Sequence, residues 1–181
     1  MLSFVECALL QHETVQRKRG QIPMRKQKGF SLIELLIVVS IILIIAAIAI
    51  PNLLRARIAA NESSAVASIR TVNTAMISYN SAYPTVGYAS VLSYLSGTTC
   101  APPNSQSACL IDNQLATGSK SGYAFTLSGV TGTPASTYQF RADPQAPNQT
   151  GVRYFCSFAD AVIRFDSATM TTCNGTKNAL Q

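Results

Sequence analysis

The chain has 181 residues, a formal charge of +6 and one histidine, His12, which lies in a basic leader. That leaves no Ser-His-Asp or Cys-His arrangement to draw, no glycine-rich phosphate loop is present, and catalysis is not expected. The charge does not point to specific nucleic-acid binding either: six of the 14 basic and two of the 8 acidic side chains precede Phe30, leaving 8 against 6, or +2, thinly spread without a basic patch.

After the leader comes an apolar segment. From Leu35 to Ile50 only Ser40 interrupts Leu, Ile, Val and Ala, and with Phe30 to Ile33 this gives roughly 20 apolar positions, enough to span a bilayer. Glu34 stands inside it. A carboxylate near the centre of a membrane helix costs on the order of 2.5 to 3.5 kcal/mol, and such residues are by default functional, with a nearby partner. Arg55 and Arg57 follow about 20 residues later, roughly 30 Å along a helix, so the partner has to come from elsewhere. A cut between Gly29 and Phe30 would supply one: the new α-amino group, with a pKa of about 8, could sit beside Glu34 of a neighbouring copy and fix the register between subunits.

The run Lys28-Gly29-Phe30-Ser31-Leu32-Ile33-Glu34-Leu35-Leu36 resembles the cleavage motif of type IV pilins and the related pseudopilins. The resemblance covers Lys28 to Leu54 well and the remainder only in layout. It implies cleavage after Gly29 by a membrane-bound prepilin peptidase, N-methylation of Phe30, and homopolymerisation on an inner-membrane assembly platform into a helical filament with the apolar segments at its core. Glu34 is then the assembly residue. Met24-Arg25-Lys26-Gln27-Lys28-Gly29 alone makes a leader of the family's type, whereas residues 1–23 read as neither helix nor domain, so Met24 is the expected start. Positive residues ahead of a first membrane segment hold that side in the cytoplasm. The precursor is therefore expected in the inner membrane, single-pass, with a cytoplasmic N-terminus and an extracytoplasmic head, and the filament in the periplasm or on the cell surface.

Two blander readings compete. A secretory signal peptide could be cut at Ala47-Ile48-Ala49, but Glu34 within the apolar region and Pro51 just beyond the cut argue against it. An uncleaved anchor with Glu34 snorkelling to the headgroups leaves Gly29, Phe30 and Glu34 as coincidences.

Beyond Pro51 the pattern becomes amphipathic. Leu54, Ile58, Ala65, Val66, Ile69, Val72, Met76 and Tyr79 recur at spacings of three and four, while Arg55, Glu62, Ser63, Ser68, Arg70 and Thr71 fall on other faces. One long helix is expected, kinked or locally melted at Pro51, where a backbone donor is missing. It should end near Tyr79 to Ala82, ahead of Tyr83-Pro84. The organisation is thus a leader over 1–29, a membrane or filament-core helix over 30–54, its amphipathic continuation over 55–82, and a head over 83–181, a normal size for one small domain.

In the head, Gly122 to Leu127 and Thr137 to Ala142 place an aromatic at every second position, joined through Gly132-Thr133-Pro134, and read as a hairpin with one buried face. Arg153 to Phe158 and Ala161 to Phe165 read as a second pair turning at Ala159-Asp160. Ser90 to Ser96 is a candidate short helix ahead of a surface loop. The fold class is α+β, a long helix packed on an antiparallel sheet with disulfide-closed loops. Cys7 falls in the leader; Cys100, Cys109, Cys156 and Cys173 remain, an even number outside the cytoplasm, where disulfides are the expected state. Closure entropy favours the sequence-local pairs, Cys100 with Cys109 and Cys156 with Cys173. A four-cysteine zinc site would need closer ligand pairs, so no metal is expected there. Calcium, through Asp112, Asp143, Asp160 or Asp166 and loop carbonyls, is the one cofactor left open.

With no aromatic residue between Phe30 and Tyr79, the filament core is expected to be aliphatic and insulating. The reading is a structural subunit of a type IV pilus for adhesion or motility. The alternatives are a pseudopilin of type II secretion and a membrane-anchored binding domain that never polymerises.

Overall fold

A computed structural model describes residues 29–97 and 100–180; the leader ahead of Gly29 and the start at Met24 lie outside the described residues. The chain divides into two units between Ile42 and Leu43, and one helix, α1 (Leu32–Ala82, 51 residues), runs through the division. In the first unit the helix opens with the Leu35 amide donating to the Ser31 carbonyl at 3.2 Å. Every residue from Gly29 to Ile42 is exposed.

In the second unit α1 continues through Pro51. The local melting expected there does not occur: a proline in a helix interior removes one amide donor, here the one that would reach the Ala47 carbonyl, and the helix continues on both sides. The buried stripe of α1 is Glu62, Ala65, Val66, Ser68, Ile69, Val72, Asn73, Ala75, Met76 and Tyr79. Two positions expected on the outer faces, Glu62 and Ser68, are therefore inside, and Leu54, expected inside, is 45% exposed. The stripe begins later and runs wider than apolar spacing indicates, because part of what it meets is polar backbone.

Two short helices follow, α2 (Leu92–Leu95) within the expected 90–96 and α3 (Asn113–Ala116), which apolar spacing did not reveal. Asp112 makes α3 by capping it, accepting from the Leu115 amide at 2.9 Å. The sheet is an antiparallel meander in chain order: β1 (Ser119–Lys120), β2 (Tyr123–Gly132), β3 (Ala135–Pro144), β4 (Tyr154–Phe158), β5 (Arg164–Asp166) and β6 (Asn178–Ala179). The β2–β3 hairpin pairs Phe125 with Ala142 and Leu127 with Phe140. The partner of β4 is shorter than Ala161 to Phe165, because the chain still turns at Ala159-Asp160 and Ala161 has φ of 58°.

The period-two pattern of the strands sets two faces. Tyr123, Phe125, Tyr138, Phe140, Ala142 and Phe155 point inward and form one core with Ala65, Ile69, Val72, Met76 and Tyr79 of α1. Burying each of the larger side chains is worth about 1.5 to 3 kcal/mol. Inside this core Asn73 is satisfied by three partners: its amide nitrogen donates to Ser157 Oγ at 2.9 Å and to the Ala161 carbonyl at 3.2 Å, and its oxygen accepts from Tyr138 Oη at 3.1 Å. Burial pushes the Tyr138 hydroxyl up to about 12. On the outer face Cys156, Met170 and Cys173 pack together with Tyr154 and Phe158.

Asn73→Ala is expected to lower the stability of the head by about 1 to 3 kcal/mol, since it strips buried polar partners. Ile77→Ala, at a side chain that is 52% exposed, should stay within about 0.5 kcal/mol. Thermal unfolding of the full chain followed by near-ultraviolet circular dichroism separates the two; equal losses would contradict the placement of Asn73.

Candidate assembly and processing site

At the start of α1, three residues single themselves out. Gly29 and Phe30 precede the helix, and Phe30 is 78% exposed. A Cβ built on Gly29 meets nothing within 4 Å, so among the described residues nothing in the fold asks for glycine there. Glu34 lies in the first turn, where the helix dipole favours a negative charge. It therefore costs less than a carboxylate at mid-membrane would, which corrects the mid-helix figure used for it from sequence. Ser31 and Glu34 have the spacing of a capping box, yet among the described residues Glu34 makes no side-chain hydrogen bond or ion pair. Its carboxylate is available to another molecule.

The residues that follow are apolar and uncovered. The best 18-residue window of α1 has a mean hydropathy of 3.2 and none of it is buried. A helix that is hydrophobic all round belongs inside a membrane or a protein assembly.

The head carries a second cluster that sequence reasoning missed. Glu62 Oε1 accepts from the amides of Val152 and Arg153 at 2.9 and 3.0 Å, and Oε2 accepts from Arg153 Nε at 2.8 Å and Nη2 at 2.7 Å. The adjacent Asn61 donates to the Thr150 carbonyl at 2.9 Å. Tyr123 Oη donates to the Arg153 carbonyl at 2.8 Å, and the guanidinium lies over the Phe155 and Phe165 rings. The loop between β3 and β4 is thus latched to α1. Gly151 permits it, because a Cβ there would sit 2.0 Å from Tyr123 Oη. Burial pushes the Glu62 carboxyl up, but the two amides and the Arg153 guanidinium outweigh it and hold the group below its ordinary 4.5. The only sequence signal for this latch was a glutamate placed where the apolar stripe should begin.

The cysteines form two bonds, Cys100 to Cys109 and Cys156 to Cys173, each with Cα atoms 5.8 Å apart. The second closes a loop over the outer face of the sheet. Arg141 Nη1 donates to the carbonyls of Met170 and Thr171 at 2.5 and 3.0 Å, and the Cys173 amide donates to Gln139 Oε1 at 3.3 Å. The four head aspartates each meet a cation: Asp112 with Lys120, Asp143 with Arg141, Asp160 with Arg164 and Asp166 with Lys177. Among the described residues no three of the His, Cys, Asp and Glu side chains gather as a metal site would require.

These features define a class: a chain that presents a bare apolar helix with a processing-type start, and carries at its other end a sheet head closed by disulfides. Comparisons agree with that class. The family profile described as the prokaryotic N-terminal methylation motif matches residues 24–50. The chain is 65% identical over 40 residues to the type IV wide pilus major component PilA4 of Thermus thermophilus, covering 22% of this chain and 30% of that protein. It is 43% identical over 65 residues to the type II secretion system core protein G of Vibrio cholerae, covering 34% and 44%. With the type IV major pilin protein PilA of Myxococcus xanthus it shares 45% over 54 residues, covering 30% and 24%. Each match spans less than half the length of the relative, and no solved structure is matched. The N-terminal part of the chain is thus similar to type IV pilins and to a type II secretion core protein, and residues 24–50 carry the prokaryotic N-terminal methylation motif.

Glu62→Ala is expected to destabilise the head by about 2 to 3 kcal/mol, because it leaves two amides and a guanidinium without their acceptor. The sign of the pH effect follows from the lowered carboxyl: its contribution is fully present above about pH 4.5 and is lost as pH falls through the lower folded value. Asp143, pushed up by burial against the pull of Arg141, acts oppositely, so protonating it relieves a cost. Acid unfolding of wild type and Glu62→Ala, compared at pH 7 and pH 3, should show the difference between them shrinking at pH 3; a constant difference would contradict the latch.

Proposed function

We propose that the chain is the structural subunit of a type IV pilus filament serving adhesion or motility. The observation that carries this reading is the apolar half of α1, none of it buried and headed by a glutamate with no partner among the described residues. In the membrane that surface meets lipid; in a filament it meets the same surface of neighbouring copies. The precursor is held in the inner membrane as a single span, with its N-terminus in the cytoplasm and its head outside. Prepilin peptidase cuts between Gly29 and Phe30, Phe30 is N-methylated, and an inner-membrane platform assembles the product into a homopolymer.

The order of events follows from the charges. Before cleavage Phe30 has no free amine. Afterwards its α-amino group, positive below a pKa of about 8, can pair with Glu34 of the adjacent subunit in low dielectric, where an unpaired carboxylate is costly. The pair rewards one axial register and disfavours others. The function assigned is structural rather than enzymatic, with no resident cofactor; calcium bound at the head acids and loop carbonyls would be an addition to this role. Two relatives are pilus components and one is a secretion pseudopilin, so the pseudopilin of a type II system is the second reading. The disulfide-closed loop over the sheet supports the pilus, since it gives the head a stapled outer surface suited to exposure beyond the cell.

The test is N-terminal sequencing and intact mass of sheared surface fibres and of membranes. A methylated Phe30 start in the fibres is expected. A chain retained only in membranes and uncut before Phe30 would overturn the reading in favour of an anchored domain. Glu34→Ala should keep membrane insertion and cleavage but lower fibre yield at least tenfold, and Gly29→Phe should leave the precursor unprocessed; fibres at normal yield from Glu34→Ala would refute the register role.

A further inference from the structure

The ion pairs of the head leave a remainder that the sequence alone did not show. Lys120, Arg141, Arg153, Arg164 and Lys177 are each bound to an acid. The basic residues after Gly29 that have no acid among the described residues are therefore Arg55, Arg57 and Arg70, all exposed and all on α1. Two of them follow directly on Leu54, where the apolar segment ends. Beside them lies a shallow groove of about 350 Å³ lined by Arg55, Ile58, Ala59, Glu62, Val152 and Arg153. Its floor is apolar at Ile58, Ala59 and Val152. Glu62 does not make it acidic, because both carboxylate oxygens are taken by the latch.

We propose that Arg55 and Arg57, beside this groove, bind the phosphate headgroups of anionic phospholipid in the extracytoplasmic leaflet. The inference rests on the membrane-held precursor described under the proposed function. Leu35 to Leu54 is about 20 helical residues, or roughly 30 Å, the thickness of the hydrocarbon layer. Arg57 then stands about 4 to 5 Å beyond its edge, within a headgroup layer that is roughly 5 to 8 Å deep on each side. Arg153, latched to Glu62 about 12 Å beyond the edge along α1, lies outside that layer and is held by its own acid. Guanidinium groups pair with phosphate oxygens through two parallel donors, and Ile58 and Ala59 lie beside the two arginines at headgroup depth. A second copy of the chain is the poorer occupant, since Glu62, Asp112, Asp143, Asp160 and Asp166 are all committed within their own chain. The site would hold the waiting precursor at a fixed depth and would be vacated when the helix leaves the membrane for a filament.

The full chain is reconstituted in phosphatidylcholine vesicles carrying a trace of spin-labelled phosphatidylglycerol or of spin-labelled phosphatidylcholine, and the motionally restricted fraction of each label is read by electron paramagnetic resonance. Wild type should restrict phosphatidylglycerol more strongly, by about fivefold or more in relative association, on the scale of one arginine near an anionic surface. The double change Arg55→Gln with Arg57→Gln should bring the ratio close to one, and Arg70→Gln, about 20 Å further along α1, should leave it unchanged. Equal restriction of both labels by an inserted wild-type chain overturns the proposal. So does an equal loss in Arg70→Gln, which would show a response to overall charge, or full displacement by millimolar inorganic phosphate, which would show a site for free anions. Extraction of the wild-type chain by alkaline carbonate from both vesicle types would overturn the membrane-held precursor itself, and this site with it.

Discussion

A helix surface that its own chain cannot cover is the constraint on which the rest of this structure depends. From Phe30 to Leu54 the large side chains are exposed, most of them by half or more, and each is worth about 1.5 to 3 kcal/mol when taken out of water. Summed over the segment this exceeds the whole stability of an ordinary domain. No rearrangement of the head could meet that demand without giving up its own core. On the proposed function lipid and then other copies cover this surface, and that demand sets both environments before any chemistry is considered. Lipid and a neighbouring helix are nearly equivalent for aliphatic side chains, which is why transfer from one to the other need not be uphill. Specificity then has to come from something that is not aliphatic, and in the segment that is Glu34.

The head answers the opposite requirement: it must remain folded whichever partner the apolar segment has. Its core is closed within the chain, aromatic residues of β2, β3 and β4 lying on the stripe of α1 from Ala65 to Tyr79. The Glu62 latch marks where that stripe starts, and it is made of polar groups because it ties backbone of the β3–β4 loop to the helix. Latches of this kind are directional, with two amides and a guanidinium fixing one carboxylate, so they fix the loop's position along the helix more sharply than apolar packing does. The Cys156–Cys173 loop repeats the strategy on the other face, with Arg141 and Gln139 holding its backbone.

What sequence reading recovered and what it missed divide along this line. The uniformly apolar segment is written in composition, and the α1 stripe around Ile69 and Val72 and the β2–β3 hairpin in apolar periodicity, which one sequence displays directly. Glu62 and Asn73 lie on the buried stripe for reasons periodicity cannot carry: Val152 and Arg153 bind the first and Ser157 and Ala161 the second, each more than 80 residues away. Helix α3 escaped for a related reason, since four residues are too few for a period and the signal is the Asp112 cap alone. Glu34 was legible as an anomaly; that it occupies a first turn, where its charge is less costly, needed the helix boundary.

The pairing of charges across the chain then separates structural from available groups. Glu62 of α1 and the four aspartates of the head are each bound to a cation of the head, so the head presents little net field. Among the described residues the unpaired charges lie on α1: Glu34 at the entry to the apolar segment, Arg55 and Arg57 at its exit, and Arg70 further along. An apolar segment bracketed in this way has a defined depth in a bilayer, because moving it along the membrane normal would carry a charge into hydrocarbon in either direction. In a filament the same two ends experience different surroundings: the carboxylate can gain a fixed cation only when a cleaved neighbour supplies one, whereas the arginines sit where the helix joins the head. On the proposed function, cleavage would change the charge at one end alone, and the entry to the apolar segment, not its length or its hydrophobicity, would then distinguish a precursor resting in lipid from a subunit committed to its neighbours.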